Sequence, residues 1–247
     1  SVPELLREAY RYELFYTDIS YRPLPALLAM FDRVPYHVQR FRNTAMQRHV
    51  TRALSKVPYD YVVAESLYAA PVARVAIAAG VPVIMRAHNA EHVIWSNLAY
   101  AEKNPLRRSL FRYMAGRIRK YELEVLASSS ACACISNDDI VALRNAGAYT
   151  HLYHAPFGMA IDAGEELDEG GPDHEIYHIG SMEWLPHREA MAWFLAEVWP
   201  AVHAADPRIQ CHLAGKGLER IIPGLDQPGI VVHTGPIDAR EFARLRP

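Results

Sequence analysis

Short runs of β-favouring apolar residues alternate with helical periodicities along most of this chain, and that alternation constrains the fold more than any other feature. Residues 61–65 (YVVAE), 81–85 (VPVIM), 131–136 (ACACIS) and 151–155 (HLYHA) predict four strands. Between them, residues 71–79 carry proline in the first turn and Gly80 as a C-terminal cap, and residues 137–146 follow Ser136 with Asp139 in capping-box positions. The longest predicted helix, 106–127, sets Leu110, Met114, Ile118, Tyr121 and Val125 along one face. Upstream, Met46, Val50 and Leu54 recur every fourth residue and predict a helix over 43–56, whereas prolines divide residues 1–42 into short elements. Strands and helices in this order mean parallel sheets with helices on their faces, the α/β class.

The alternation stops at Pro156-Phe157-Gly158. Residues 161–174 include Asp162, Glu165, Glu166, Asp168, Glu169 and Asp173 and read as a solvated linker, so a domain over 1–160 and a second over 175–247 are expected. The second half restarts the pattern. Strands are predicted at 175–179, 209–213 and 230–233, and a helix at 187–198 with Met191, Phe194, Leu195 and Val198 inward. Each strand runs into glycine, at Gly180-Ser181, at Gly215-Lys216-Gly217 and at Thr234-Gly235. Glycine at a strand-to-helix turn lets backbone N–H groups approach a phosphate closely, although it also serves a tight turn that holds no ligand.

Polarity in the first half gathers at one strand end. After the apolar run at 81–85 come Arg86, His88, Asn89, Glu91 and His92. In parallel α/β sheets the carboxyl ends of the strands are where ligands bind. His88, Glu91 and His92 also spell H-x-x-E-H, the pattern of inverted zinc metalloproteases, with Glu122 or Glu124 as a third ligand. That reading needs a helix interior, and His88 stands only three residues past a strand. A histidine at such a strand end can instead hydrogen-bond a substrate hydroxyl or act as acid or base near neutral pH; His92, one turn further on, suits a core role. No metal is expected.

A chain of 247 residues with 51% hydrophobic residues has material for one large core or two smaller ones. Its formal charge of −2 argues against a dedicated nucleic-acid binder. Cys132, Cys134 and Cys211 are too few and too oddly spaced for a disulfide framework, which points to a reducing compartment. Glu4, Arg7, Glu8 and Arg11 interrupt any leader-like run, and no apolar stretch is long enough to span a bilayer, so the expectation is a soluble or peripheral protein. Arg107, Arg108, Arg112, Arg117, Arg119 and Lys120 make the outer faces of the 106–127 helix basic. A solvated face explains them; transient contact with an anionic membrane is the sharper reading. These residues alone describe a two-domain α/β protein that binds a phosphorylated or nucleotide ligand between its domains.

Several segments are more specific in combination. RAHNAEHVIW (86–95), YELEVLASSSACACISNDD (121–139), APFGM (155–159), IGSMEWLPH (179–187), FLAEVWP (194–200) and HLAGKG (212–217) occur in an order that resembles bacterial GT-B glycosyltransferases, above all the retaining family 4 group. The resemblance implies two Rossmann-like domains with parallel sheets and a cleft, each domain incomplete here. It implies transfer of a sugar from a nucleotide-sugar donor, with retention, to a glycan or lipid-linked acceptor in cell-envelope polysaccharide or glycolipid assembly. It places the protein in the cytoplasm or peripherally at the inner face of the membrane. His88 matches the family's N-domain histidine near the reacting centre, with Arg86, Asn89 and Glu91 on the acceptor side of its loop. Gly180, Ser181, Arg188, Gly215, Lys216 and Gly217 fall on the donor side. No cofactor is implied beyond the nucleotide sugar as substrate, since basic side chains and helix N-termini can offset the diphosphate charge.

The departures are equally specific. Where many members follow the Gly180-Ser181 turn with a diphosphate-neutralising arginine and lysine, this chain has Met182, Glu183 and Trp184, and Arg188 is the candidate substitute. Ala160 replaces the family's aspartate, and the donor-gripping E-x7-E segment and the first glycine-rich turn would lie beyond the two ends. The 247 residues alone are therefore expected to show little or no transferase activity. Two other classes use similar parts: a sugar-nucleotide epimerase or hydrolase, and a non-catalytic sugar-nucleotide or glycan-binding module.

Overall fold

The computed structural model describes residues 12–158, 174–183, 185–220 and 225–233. The chain divides into two compact units, Ser1–Ala160 and Ile161–Pro247. Apart from His174, the predicted linker lies outside the described residues, as does the Thr234-Gly235 turn.

Among the described residues, three α-helices precede the first sheet: α1 (Pro23–Leu28), α2 (Tyr36–Gln39) and α3 (Thr44–Lys56). Their prolines sit where they cost least, in the first turn of α1 and just ahead of α2, where no intrahelical N–H is required. The Asn43 side chain accepts from the Met46 N–H and caps α3.

Strands β1 (Val62–Glu65), β2 (Val83–Ala87), β3 (Ala131–Cys134) and β4 (Leu152–His154) then form a parallel sheet in sequential order. Their crossovers run through α4 (Ala70–Ala78), the pair α5 (Glu91–Ala101) and α6 (Pro105–Ala127), and α7 (Asn137–Ala146). Asn104 caps α6, Ser136 caps α7, and Gly147 ends α7 at φ 100°. The period of two decides which side of the sheet is buried. Ala64, Val83, Met85, Cys132 and Cys134 point to one face, where they meet Ala73 and Ala76 of α4, Ile118, Tyr121 and Val125 of α6, and Leu143 of α7. Burying each large apolar side chain contributes about 1.5–3 kcal/mol. On the other face Val63 and Tyr153 are exposed, and Glu65 and Arg86 lie side by side.

α5 is the element that the sequence pattern did not delimit. Polar residues lead into it, and its apolar residues are spread around its girth, so no single stripe marks it. α5 packs along α6, with the Trp95 and Phe111 rings 6.1 Å apart. Two arginines of the basic α6 are committed to the fold. Arg117 donates to the carbonyls of Ala29 and Asp32, and Arg119 donates to that of Ala146.

In the second unit β5 (Glu175–Ile179), β6 (Gln210–Ala214) and β7 (Ile230–His233) form a parallel sheet, again in sequential order. The crossover from β5 to β6 is α8 (Leu185–Trp193), a π-helical turn (Phe194–Val198) and α9 (Trp199–Ala205). The helix expected to finish at Val198 thus continues to Ala205. Pro200 sits in the first turn of α9 and lacks only an N–H, and the wide turn before it lets the Trp199 N–H bond to Phe194 O, five residues back. Trp199 is almost wholly buried, and its indole N–H donates to Pro228 O at 3.0 Å. Met182, Met191, Leu195, Cys211 and Leu213 complete the core. Among the described residues no helix is long and apolar enough to cross a membrane.

Candidate functional site

The parallel register sets Glu65, the last residue of β1, opposite Arg86 of β2. His88 follows two residues later, before α5 begins, and its Nε2 lies 2.7 Å from Glu65 Oε2. Arg86 Nε is 3.7 Å from the same oxygen, beyond hydrogen-bond reach, and its guanidinium lies 4.9 Å from the centre of the Phe157 ring. His88 meets that ring edge-on at 5.7 Å. Glu65, Arg86, His88 and Phe157 therefore form one cluster at the carboxyl end of the sheet. With Nε2–H donating to Glu65, a neutral His88 offers Nδ1 as an acceptor; protonated, it donates from both nitrogens.

Backbone strain marks the same strand end. Ser66 adopts φ 69° and ψ 163°, the only non-glycine among the described residues with positive φ. Such a conformation costs about 1–3 kcal/mol and persists where its surroundings hold it. Here the Ser66 N–H donates to Arg86 O at 2.8 Å, and its hydroxyl accepts from the Tyr68 N–H.

Behind the cluster runs a buried polar network. Tyr68 donates its hydroxyl to Glu91 Oε2 at 2.9 Å, the Glu91 N–H donates to Glu122 Oε1 at 2.9 Å, and His92 Nδ1 donates to Glu122 Oε2 at 2.6 Å. Asp139 accepts from the Ala90 N–H and from the Ser136 hydroxyl. The opening N–H groups of α5 are thus met by carboxylates of the chain itself. Burial, with Glu122 close by, holds the Glu91 carboxyl above its ordinary range against the opposing pull of the Tyr68 hydroxyl. Burial and the neighbouring Glu91 likewise push the Tyr68 phenol up.

The predicted first-unit residues accordingly divide. Arg86 and His88 share the surface cluster, Asn89 is exposed beside it, and Glu91 points inward as a support for α5. His88 and His92 are held by different carboxylates, and His88 lies outside the helix, so the H-x-x-E-H spacing does not put both rings on one helical face. Glu122 serves as His92's partner, and Glu124 pairs with Arg33. Among the described residues no group of three or more His, Cys, Asp or Glu side chains is placed to hold a metal ion. Glu65 and Phe157 were not singled out in the sequence, although a charge ending each of two adjacent predicted strands was a visible signal.

In the second unit the glycine loops after β5 and β6 pack on each other. The Gly180 N–H donates to Ala214 O and the Met182 N–H to Lys216 O. Gly215 has φ 133°, and a Cβ there would stand 2.0 Å from Gly180 O, so contact with the neighbouring loop alone demands glycine. Gly217, at φ 82°, faces Glu183. The Ser181 hydroxyl accepts from the Glu183 N–H. Lys216 Nζ is 3.0 Å from Glu183 Oε2, and Arg220 is 3.8 Å from the other carboxylate oxygen. Arg188, on α8, pairs with no carboxylate among the described residues.

No protein-family model matches this chain, and no curated protein matches it in sequence. Solved structures do match, and they define its class: an α/β protein with parallel sheets of the GT-B type. One, described as trehalose-6-phosphate from E. coli bound with UDP-2-fluoro glucose, aligns with a TM-score of 0.50 and 10% identity over 90% of this chain and 60% of its own. Another, of trehalose-6-phosphate synthase and concerned with glycosyl transfer with retention, aligns with a TM-score of 0.49 and 12% identity at the same coverage. The chain therefore spans about 60% of the length of these structures, and at such low identity the likeness is one of fold.

Proposed function

We propose that this chain is part of a retaining glycosyltransferase, similar to family 4 of the GT-B enzymes, that moves a sugar from a nucleotide-sugar donor to a glycan or lipid-linked acceptor. The observation that carries the proposal is the His88–Glu65–Arg86 cluster at the carboxyl end of a parallel sheet in a fold of GT-B type. The first unit takes the acceptor beside His88, with Arg86 and Asn89. The second takes the nucleotide through the Gly180-Ser181 and Gly215-Lys216-Gly217 loops, with Arg188 as the cation for the diphosphate. The anomeric C–O bond to the nucleoside diphosphate breaks, a bond to an acceptor hydroxyl forms, and the hydroxyl proton passes to the leaving phosphate. In this reading Arg188 favours that developing charge and no metal ion is required. The setting we propose is the cytoplasm, at the inner face of the membrane, in polysaccharide or glycolipid assembly.

Calorimetric titration with UDP-, GDP- and ADP-sugars tests the donor assignment. Saturable binding of one of them, weakened about tenfold by Arg188→Ala, supports it; no binding by any, with the fold intact by circular dichroism, overturns it. One observation favours a second reading, a sugar-nucleotide-binding module without catalysis: Glu183 already neutralises Lys216. Binding without turnover by a version extended at both ends would select that reading.

A further inference from the structure

A cavity of about 400 Å³ opens in the first unit, and none of its described lining residues belongs to the His88 loop. Its size falls in the range of small-molecule sites. Leu27, Met30, Leu110, Phe111 and Met114 make its apolar walls, and His37 and Arg117 supply its polarity. His37 is 91% buried, yet among the described residues neither ring nitrogen has a hydrogen-bond partner. That is unusual, because buried polar atoms are nearly always paired. Three other polar groups of the wall are engaged: the Tyr36 hydroxyl accepts from the Arg22 N–H, the Tyr113 hydroxyl donates to Met30 O, and Arg117 donates to two backbone carbonyls.

Charge narrows the choice of ligand. Arg117 and Arg40 both lie near enough to His37 to oppose its protonation, and among the described residues neither pairs with a carboxylate. Among the described residues no acidic side chain lines the cavity. An apolar chamber beside two cations without counter-charge, with an unpartnered imidazole in its wall, complements an anionic head on an apolar body.

We propose that this cavity binds an amphiphilic carboxylate, an aliphatic or aryl chain within the apolar walls and its acidic group against His37 and Arg117. This stands independently of the transferase reading, since it uses no residue of either loop site. His37 takes a proton as the carboxylate arrives and donates a charge-assisted hydrogen bond to it.

The test is titration of the whole chain with decanoate and, separately, with 1-decanol, followed by calorimetry and by the His37 ring resonances in NMR. Expected are saturable one-to-one binding of decanoate, at least tenfold tighter than decanol, and a shift of the His37 signals on binding. His37→Phe should weaken decanoate about tenfold or more, and Met114→Trp, which fills the chamber, should abolish its binding. Equal or tighter binding of decanol, absence of saturable decanoate binding, or indifference to both substitutions would overturn the proposal.

Discussion

Glu183 Oε2 lies 3.0 Å from Lys216 Nζ, so the one lysine of the second unit's glycine loops meets a carboxylate of its own chain. Both side chains are well exposed, and the pair contributes little to stability, about 0–1 kcal/mol. In the proposed donor site its effect on a diphosphate would be larger, because the carboxylate both repels phosphates and occupies the ammonium. Glu183→Gln should therefore tighten the nucleoside diphosphate or nucleotide sugar that binds by about three- to tenfold at low ionic strength, with the gain fading as salt is raised. Calorimetry at two salt concentrations reads this directly, and unchanged affinity would mean that Lys216 does not face the phosphates.

Two glycines with positive φ separate backbone conformation from steric contact. Gly147, at φ 100°, has open space around a Cβ, whereas Gly215, at φ 133°, has Gly180 O where a Cβ would go. Gly147→Ala should cost about 1 kcal/mol, the backbone term alone. Gly215→Ala should cost about 3 kcal/mol or more, since two loop backbones must part. Urea denaturation of both variants, compared with the unsubstituted protein, gives the contrast.

His37 makes the fold sensitive to acid. Burial, with Arg117 and Arg40 nearby, lowers its folded pKa to about 4 from 6.5. Between those values the unfolded chain binds the proton that the folded chain refuses, so stability falls as the pH drops from 6.5 to 4. The loss is roughly 3 kcal/mol, at 1.36 kcal/mol per pH unit. His37→Phe should flatten that part of the profile, which chemical denaturation at half-unit pH steps would reveal.

Glu91 has the opposite sign. Its folded carboxyl titrates above the ordinary value of 4.5, so between the two the folded state holds more protons, and stability declines as the pH rises through this window. Glu91→Gln can keep the acceptor for the Tyr68 hydroxyl while removing the charge, and should abolish the decline. The same pH series on this variant checks it; a decline that persists would place the responsible proton elsewhere in the network.

Local chemistry was legible where it acts over a few residues. The strands at YVVAE and ACACIS, the cap at Ser136, and the inward Ile118, Tyr121 and Val125 of the 106–127 stripe follow from periodicity and turn residues, and the structure has them within a residue or two, although Leu110 of the same stripe is exposed. Contacts between distant segments were not. Glu183 meets Lys216 across two loops, and Glu122 reaches the start of α5 from α6; such partners depend on how elements pack, which no spacing encodes. The His88 loop was legible as a polar cluster at a strand end. The inward role of His92 was legible as well, whereas the inward turn of Glu91, away from Arg86 and His88, was not, because it depends on where α5 begins.

The wide turn at Phe194–Val198 amounts to one surplus residue in an otherwise continuous helical path from α8 to α9. An α-helix advances about 100° per residue, and the wide turn takes up the surplus residue within about the same rotation, so deleting one residue there would restore regular helical bonding with α8 and α9 still in phase, whereas inserting a further residue would rotate α9 relative to α8 by about a quarter turn. Trp199 could then no longer be both buried and bonded to Pro228 O, while Met191 and Leu195 keep their places. Chain length in this stretch is therefore constrained in one direction: the turn can give up its surplus residue and leave the phase of the helix intact, and it cannot take up another.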